Sequence, residues 1–171
     1  SSYTMIMNAG MYKTSLSPLG LYVENGVIHQ DLNTKKSAYG NFYMQPNGVF
    51  YSQNDSLKIT QTSDFKLDSS IAFATQSGPM LLINGEFHPK FMKGSKNLHI
   101  RNGVGILPDG NPIFAISTVP INLYDFADFF KVHGCRNALY LDGAVSRAYI
   151  PSKGLFDKGG KFGAMVTVKP L

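Results

Sequence analysis

The 171-residue chain has one cysteine, no tryptophan and three arginines. A single cysteine excludes an intrachain disulfide and a cysteine-based structural zinc site. Cys135 stands between Gly134 and Arg136, just past a helical pattern. No nucleophile motif surrounds it, so it reads as a packed thiol. Charged residues are also sparse, at 16%, and no apolar run approaches the ~20 residues that span a bilayer as a helix. No membrane span is expected. The 13 lysines are scattered, with Lys35-Lys36 the one adjacent pair. A net charge of +5 therefore favours anionic ligands, but no basic stripe points to nucleic acid. His29, His88, His99 and His133 lack metal-ligand spacing. Neither a Gly-Xaa-Ser-Xaa-Gly elbow nor a nucleotide phosphate loop is present, so neither a metal nor a cofactor is expected. The length suits one domain over residues 1–171, with enough apolar content, 43%, for a substantial core. The chain opens at Ser1 with no apolar leader, as a trimmed or mature chain would.

Turn signals are abundant. Asn25-Gly26, Asn47-Gly48, Asn84-Gly85 and Asp109-Gly110 each adjoin short apolar runs. These dipeptides suit hairpin turns whose central residues need φ > 0. Four of them predict a mostly antiparallel β domain. Further strands are expected over 3–7, 71–75, 137–142 and 162–168, and a polar loop over 31–41. Residues 52–70 are polar, with a weak helical turn near 63–67. One helix is expected over about 122–133. Leu123, Phe126, Ala127 and Phe130 form its apolar face, Asn122 caps it, Asp125 suits its first turn and Gly134 stops it.

Eleven carboxylates are few enough for elimination. Most fall in turns, polar segments or the first turns of the helix. Glu86 and Asp142 remain. Glu86 follows a hairpin turn, with solvent the favoured side. Asp142 ends the apolar run Ala138-Leu139-Tyr140-Leu141 and is followed by Gly143, Ala144, Val145 and Ser146. Either this is an ordinary Asp-Gly turn, or a strand end presents a carboxylate where the backbone leaves room for a ligand. Partial burial there would perturb its pKa, as an acid, base or nucleophile requires. Arg101 interrupts an apolar, glycine-containing segment and needs a partner, either a structural carboxylate or an anionic ligand. Arg147 follows Ser146 closely enough to share a site with Asp142, but a surface residue on the next strand is the favoured reading. Asn8-Ala9-Gly10 and Ser77-Gly78-Pro79 are two further strand ends whose N–H groups suit an anion. His88 precedes Pro89 in a hairpin.

Several stretches follow one pattern in order: Met7-Asn8-Ala9-Gly10-Met11-Tyr12, Ser17-Pro18-Leu19-Gly20-Leu21, and Gly40-Asn41-Phe42 with Pro46-Asn47-Gly48-Val49-Phe50. Ala74-Thr75-Gln76-Ser77-Gly78-Pro79, Ile100-Arg101-Asn102-Gly103-Val104-Gly105 and Leu141-Asp142-Gly143-Ala144-Val145-Ser146 complete it. Over nearly its whole length the chain resembles the phosphodiester glycosidase domain, shared by bacterial and viral proteins and the mammalian uncovering enzyme. The mammalian member removes N-acetylglucosamine from a sugar-1-phosphodiester.

The resemblance implies an α+β fold, an extracytoplasmic setting and a small-molecule or glycan sugar-phosphate substrate. It gathers Asn8, Ser77, Gly78, Arg101, Asp142, Gly143 and Ser146 into one cavity. Gly10, Asn41 and Asn102 belong to the same motifs as substrate-binding positions. Asp142 would be nucleophile or base, Arg101 would neutralise the departing phosphate, and Glu86 or His88 would be the second catalytic group. Ala144 replaces a glycine common in the family, which would narrow the pocket. The alternative is a binding module for sugar phosphates or nucleotide-derived sugars that has kept the cavity without turnover.

Overall fold

The computed structural model describes residues 3–141, 146–157, 159–161 and 163–170. In chain order its elements are β1 (Met5–Asn8), β2 (Tyr22–Glu24), β3 (Val27–Gln30), β4 (Gly48–Gln53), β5 (Ser56–Gln61), β6 (Ile71–Ser77), β7 (Met80–Ile83) and β8 (Glu86–Phe87). There follow β9 (Asn102–Ile106), β10 (Pro112–Ile116), α1 (Leu123–Val132), β11 (Ala138–Tyr140), β12 (Ala148–Ile150), β13 (Leu155–Phe156) and β14 (Met165–Val168). Short 3-10 turns occupy Asn41–Tyr43 and Pro151–Lys153. The fold is α+β, as expected.

Three antiparallel sheets carry the described strands, in the orders β13-β12-β1-β14, β10-β9-β11-β7-β8 and β3-β2-β6-β4-β5. Alternation along the strands feeds separate clusters. From β11, Leu139 packs with Met7, Phe50, Met80, Val104 and Leu141 between the sheets. Ala138 and Tyr140 face the other way, onto Phe126, Ala127 and Phe130 of α1. The helix can lie directly on β9 because Gly103 and Gly105 are bare. A Cβ on Gly105 would sit 2.7 Å from both Cys135 Sγ and Phe130 Cδ1. Cys135 is therefore a buried packing group, and burial pushes its thiol pKa up.

The helix is where its sequence places it. Asn122 Oδ1 accepts the Asp125 N–H at 2.8 Å, and Gly134 follows with φ +81°. Asn25-Gly26 and Asn84-Gly85 turn hairpins with both residues at positive φ. Asp109-Gly110 also turns one, by another geometry. The Gly110 N–H returns to the Leu107 carbonyl at 2.9 Å, and only Gly110 has positive φ. Pro108 presets the first central residue of such a turn.

Two expectations fail and a third shifts by two residues. Asn47-Gly48 turns no hairpin: Asn47 is 1% exposed, Gly48 opens β4, and the apolar run before it enters a 3-10 turn, Asn41–Tyr43, rather than a strand. The Asn47 side chain instead donates to the Phe42 carbonyl, 2.9 Å away, and holds that turn. The polar segment 52–70 contains β5, an edge strand that pairs with β4; its apolar residues Leu57 and Ile59 alternate with polar ones and turn onto the core, Ile59 fully, while Ser56 and Lys58 face solvent. Its hairpin turns at Asn54 and Asp55, both at positive φ without a glycine. The helical turn near 63–67 is a single turn closed earlier, by the Asp64 and Phe65 N–H groups on the Gln61 carbonyl.

Candidate functional site

Three polar groups meet at the carboxyl end of β11. In the first, Asn8 at the end of β1 accepts through Oδ1 from the Arg147 N–H at 2.7 Å. Its carbonyl accepts from Asn102 Nδ2 at 3.0 Å, and Ser146 Oγ donates to Asn102 Oδ1 at 3.3 Å. The Asn102 carbonyl in turn accepts the Leu141 N–H, 3.1 Å away. The structure thus brings Asn8, Asn102 and Ser146 together. Gly10 lies beside them and fixes the chain: its N–H donates to Thr75 Oγ1, and any Cβ would strike the Gln76 carbonyl.

The second group is built on Arg101, which precedes β9 and is 1% exposed. Its Nε donates to the Ile121 carbonyl at 2.7 Å and Nη1 to Tyr140 Oη at 2.9 Å. Nη2 donates to the carbonyl and Oδ1 of Asn97 at 2.9 and 3.0 Å. All these acceptors are neutral. Among the described residues no carboxylate pairs with this guanidinium, so the structural ion pair weighed for it is not seen there. Arg101 and Asn102 point to opposite faces of their sheet, Arg101 toward the helix and Asn102 toward Asn8. That alternation separates two residues that adjacency in sequence places in one cavity.

The third group surrounds the end of β6. Ser77 pairs with Gly48, and Gly78 is packed so tightly that a Cβ would lie 2.6 Å from Asn47 Cβ and 2.8 Å from the Phe42 carbonyl. The peptides Gln45-Pro46 and Gly78-Pro79 are cis, and the Pro46 carbonyl accepts the Met80 N–H. Pro79 has no N–H, so this break offers an anion the Gly78 N–H and the Ser77 hydroxyl rather than a run of amides. Asn41 stands in the adjacent 3-10 turn, half-buried. The Pro79 carbonyl accepts the Tyr140 N–H at 3.1 Å. Tyr140 and Leu141 therefore join all three groups, and the next residue in sequence is Asp142. Asp142 and Gly143 lie outside the described residues.

His88 and Glu86 divide. His88 is 1% exposed and stacks on Phe91, and its Nδ1 accepts the Lys90 N–H at 3.2 Å. Nε2 therefore carries the proton, and it faces the Gln45 backbone without a well-formed hydrogen bond. Burial pulls its pKa down to about 4, with the Lys90 charge adding to the effect and the nearby Gln45 backbone opposing it. A neutral imidazole can donate a hydrogen bond but holds no spare proton at neutral pH. Glu86 stands apart on β8. Its side chain is 85% exposed and lies 3.8 Å from Lys131 of α1, an exposed pair of little energetic weight.

Two residues that sequence reasoning passed over help shape the site. Gln76 is buried and uses its whole amide. It accepts from the Leu21 and Asn33 N–H groups at 3.0 and 2.9 Å, and donates to the Asn33 carbonyl and Thr62 Oγ1 at 2.9 and 3.2 Å. A polar residue inside a motif otherwise made of small and apolar residues was the available signal. Tyr140 read only as strand filling, because its hydroxyl becomes informative once Arg101 lies beneath it. Among the described residues no group of three or more His, Cys, Asp or Glu side chains could hold a metal ion.

Among the described residues, four buried side-chain polar atoms lack a partner: Asn8 Nδ2, Asn47 Oδ1, Ser77 Oγ and His88 Nε2. All four lie in the first and third groups or, for His88, against the Gln45 backbone beside them. Buried polar atoms are rarely left unpaired without a water, ion or ligand to explain them.

Comparison with known proteins agrees with this architecture. The uncharacterized protein YigE of Escherichia coli (strain K12) is 41% identical over 166 residues, which cover 96% of this chain and 65% of that protein. The zebrafish N-acetylglucosamine-1-phosphodiester alpha-N-acetylglucosaminidase catalytic domain, auto-inhibited by its pro-peptide, shares the fold. Its TM-score is 0.62 at 16% identity, over 97% of this chain and 61% of that one. A hypothetical protein from Synechocystis matches with a TM-score of 0.52 at 14% identity, over 96% and 50% of the two chains. The chain thus spans less than two thirds of each of these proteins. No described helix is long and apolar enough to cross a membrane. The family model for phosphodiester glycosidases matches residues 1–163, and the chain belongs to that family.

Proposed function

We propose that this protein hydrolyses the bond between the anomeric carbon of a sugar and a phosphodiester oxygen. The observation that carries this reading is the set of unpartnered buried polar atoms on Asn8, Asn47, Ser77 and His88 around the strand that leads to Asp142. A polar ligand with several hydroxyls and an anionic group satisfies such donors and acceptors, and family membership supports the diester. Asp142 acts as the nucleophile, or as the base for water. The departing phosphodiester is a weak base and needs its charge neutralised more than it needs a proton. Arg101 supplies positive charge that no described carboxylate cancels, and it acts through its field rather than by contact, because it is buried and four of its five N–H donors are engaged.

Released reducing sugar from a sugar-1-phosphodiester tests this. Asp142→Asn should lower turnover by roughly 100-fold or more while the melting temperature stays within a few degrees. Near-wild-type rates would sink the assignment. One observation favours the second reading, a sugar-phosphate binding module. Glu86 is exposed and paired with Lys131, and His88 is neutral, so neither supplies the second acid that glycosidases ordinarily use. That reading predicts thermal stabilisation by the diester with no product.

A further inference from the structure

A cavity of about 430 Å³ opens on the outer face of the sheet that holds β1, β12 and β14. Ile6, Asn8, Arg147, Tyr149, Asp157 and Met165 line it. Register explains why these side chains share a face. Ile6 pairs with Tyr149 and Asn8 with Met165, and Arg147 stands two residues before Tyr149. The space has room for a phosphate and a short apolar chain.

Its chemistry is uneven. Ile6, Tyr149 and Met165 give it apolar walls. At the polar end, Asn8 is 3% exposed with Nδ2 unpartnered, and Arg147 Nη1 lies 2.6 Å from Asp157 Oδ1. That ion pair is solvated, with side-chain exposures of 41% and 36%, so exchanging the carboxylate for another anion costs little. The cavity also adjoins the candidate site. Asn8 belongs to both, and the residue before Arg147 is Ser146, which donates to Asn102.

We propose that this cavity is the leaving-group subsite, in which Arg147 donates to the phosphate and the apolar walls take the alcohol attached to it. This rests on the hydrolytic reading above and adds a substrate class to it: phosphodiesters whose leaving side is apolar rather than a sugar. The phosphate takes the place of Asp157 on Arg147, and the Asp157 carboxylate turns into solvent. Arg147 becomes a binding residue, where its sequence position favoured surface.

The test uses hexyl phosphate, inorganic phosphate and hexanol as probes, read by calorimetry and thermal shift on the whole chain. Hexyl phosphate should bind at least tenfold more tightly than inorganic phosphate, and hexanol should not bind measurably. Arg147→Gln should weaken hexyl phosphate tenfold or more, Asp157→Asn should tighten it several-fold, and Met165→Lys should remove the advantage of the hexyl chain. Equal affinity of wild type and Arg147→Gln, or no gain from the chain, overturns the proposal. Turnover separates it from the reading it rests on. If methyl and hexyl sugar-1-phosphodiesters are cleaved with the same KM, the subsite falls and hydrolysis stands. If hexyl phosphate binds as described while no diester is cleaved, hydrolysis falls and the anion site stands.

Discussion

Lowering the pH from 7 to 4 should destabilise this protein in part through one buried side chain, His88. In the folded state its pKa is held near 4 by burial, against 6.5 for a free imidazole. The unfolded chain therefore binds a proton across a window in which the folded chain does not, and stability falls as the pH drops from 6.5 toward 4. Above 6.5 both states are neutral, and below 4 both are charged, so this contribution changes only inside that window. At about 1.4 kcal/mol per pH unit the gap caps the loss at roughly 3 kcal/mol. Pro89 and Lys90 beside it are exposed, so water lies close, and a loss of about half the cap is expected. The assay is urea unfolding at pH 7.5, 6, 5 and 4 on the wild type and His88→Asn. Asparagine keeps an acceptor for the Lys90 N–H and does not titrate. Carboxylate protonation contributes to both proteins and cancels in the difference. The variant should start less stable and lose stability more slowly between pH 6.5 and 4. Parallel curves would refute the reasoning, because they would mean that His88 charges in the folded protein without penalty.

Two further substitutions test the scaffold. Arg101→Lys keeps the charge but not the fork that reaches the Ile121 carbonyl, Tyr140 and Asn97 at once. It should cost about 2–4 kcal/mol in urea unfolding through buried acceptors left unpaired, and a cost under 1 kcal/mol would show that charge alone suffices. Gly78→Ala puts a methyl 2.6 Å from Asn47 Cβ and should cost about 1–3 kcal/mol through overpacking. Because it also moves the turn held by Asn47, turnover should fall further than the stability loss explains, and unchanged turnover would place the third group outside the site.

Local signals settled the parts of the fold whose physics is local. The helix could be read because its cap, its apolar face and its glycine stop all lie within thirteen residues of one another. Asn25-Gly26 and Asn84-Gly85 could be read because the left-handed conformation is a property of those residues themselves. Asn47-Gly48 carries the same letters but is buried, and there the side chain's hydrogen bond to Phe42 outweighs the turn preference. The edge strand β5 escaped notice because only Leu57 and Ile59 of its six residues are apolar, a two-residue alternation set in a polar stretch.

The sequence by itself determined which residues are unusual: a lone arginine in an apolar segment, polar residues at strand ends and one carboxylate after a buried strand. It could not tell how they are grouped, because grouping depends on which face each side chain takes and which strands lie side by side. Pairing of β1 with β12 and β14 puts Asn8 beside Arg147, 139 positions away in the chain. Alternation along one strand sends Arg101 and Asn102 to opposite sides of it. Only the tertiary structure decided those contacts. They make Tyr140-Leu141 the junction of three polar groups, and they place Arg147 in a cavity rather than on open surface.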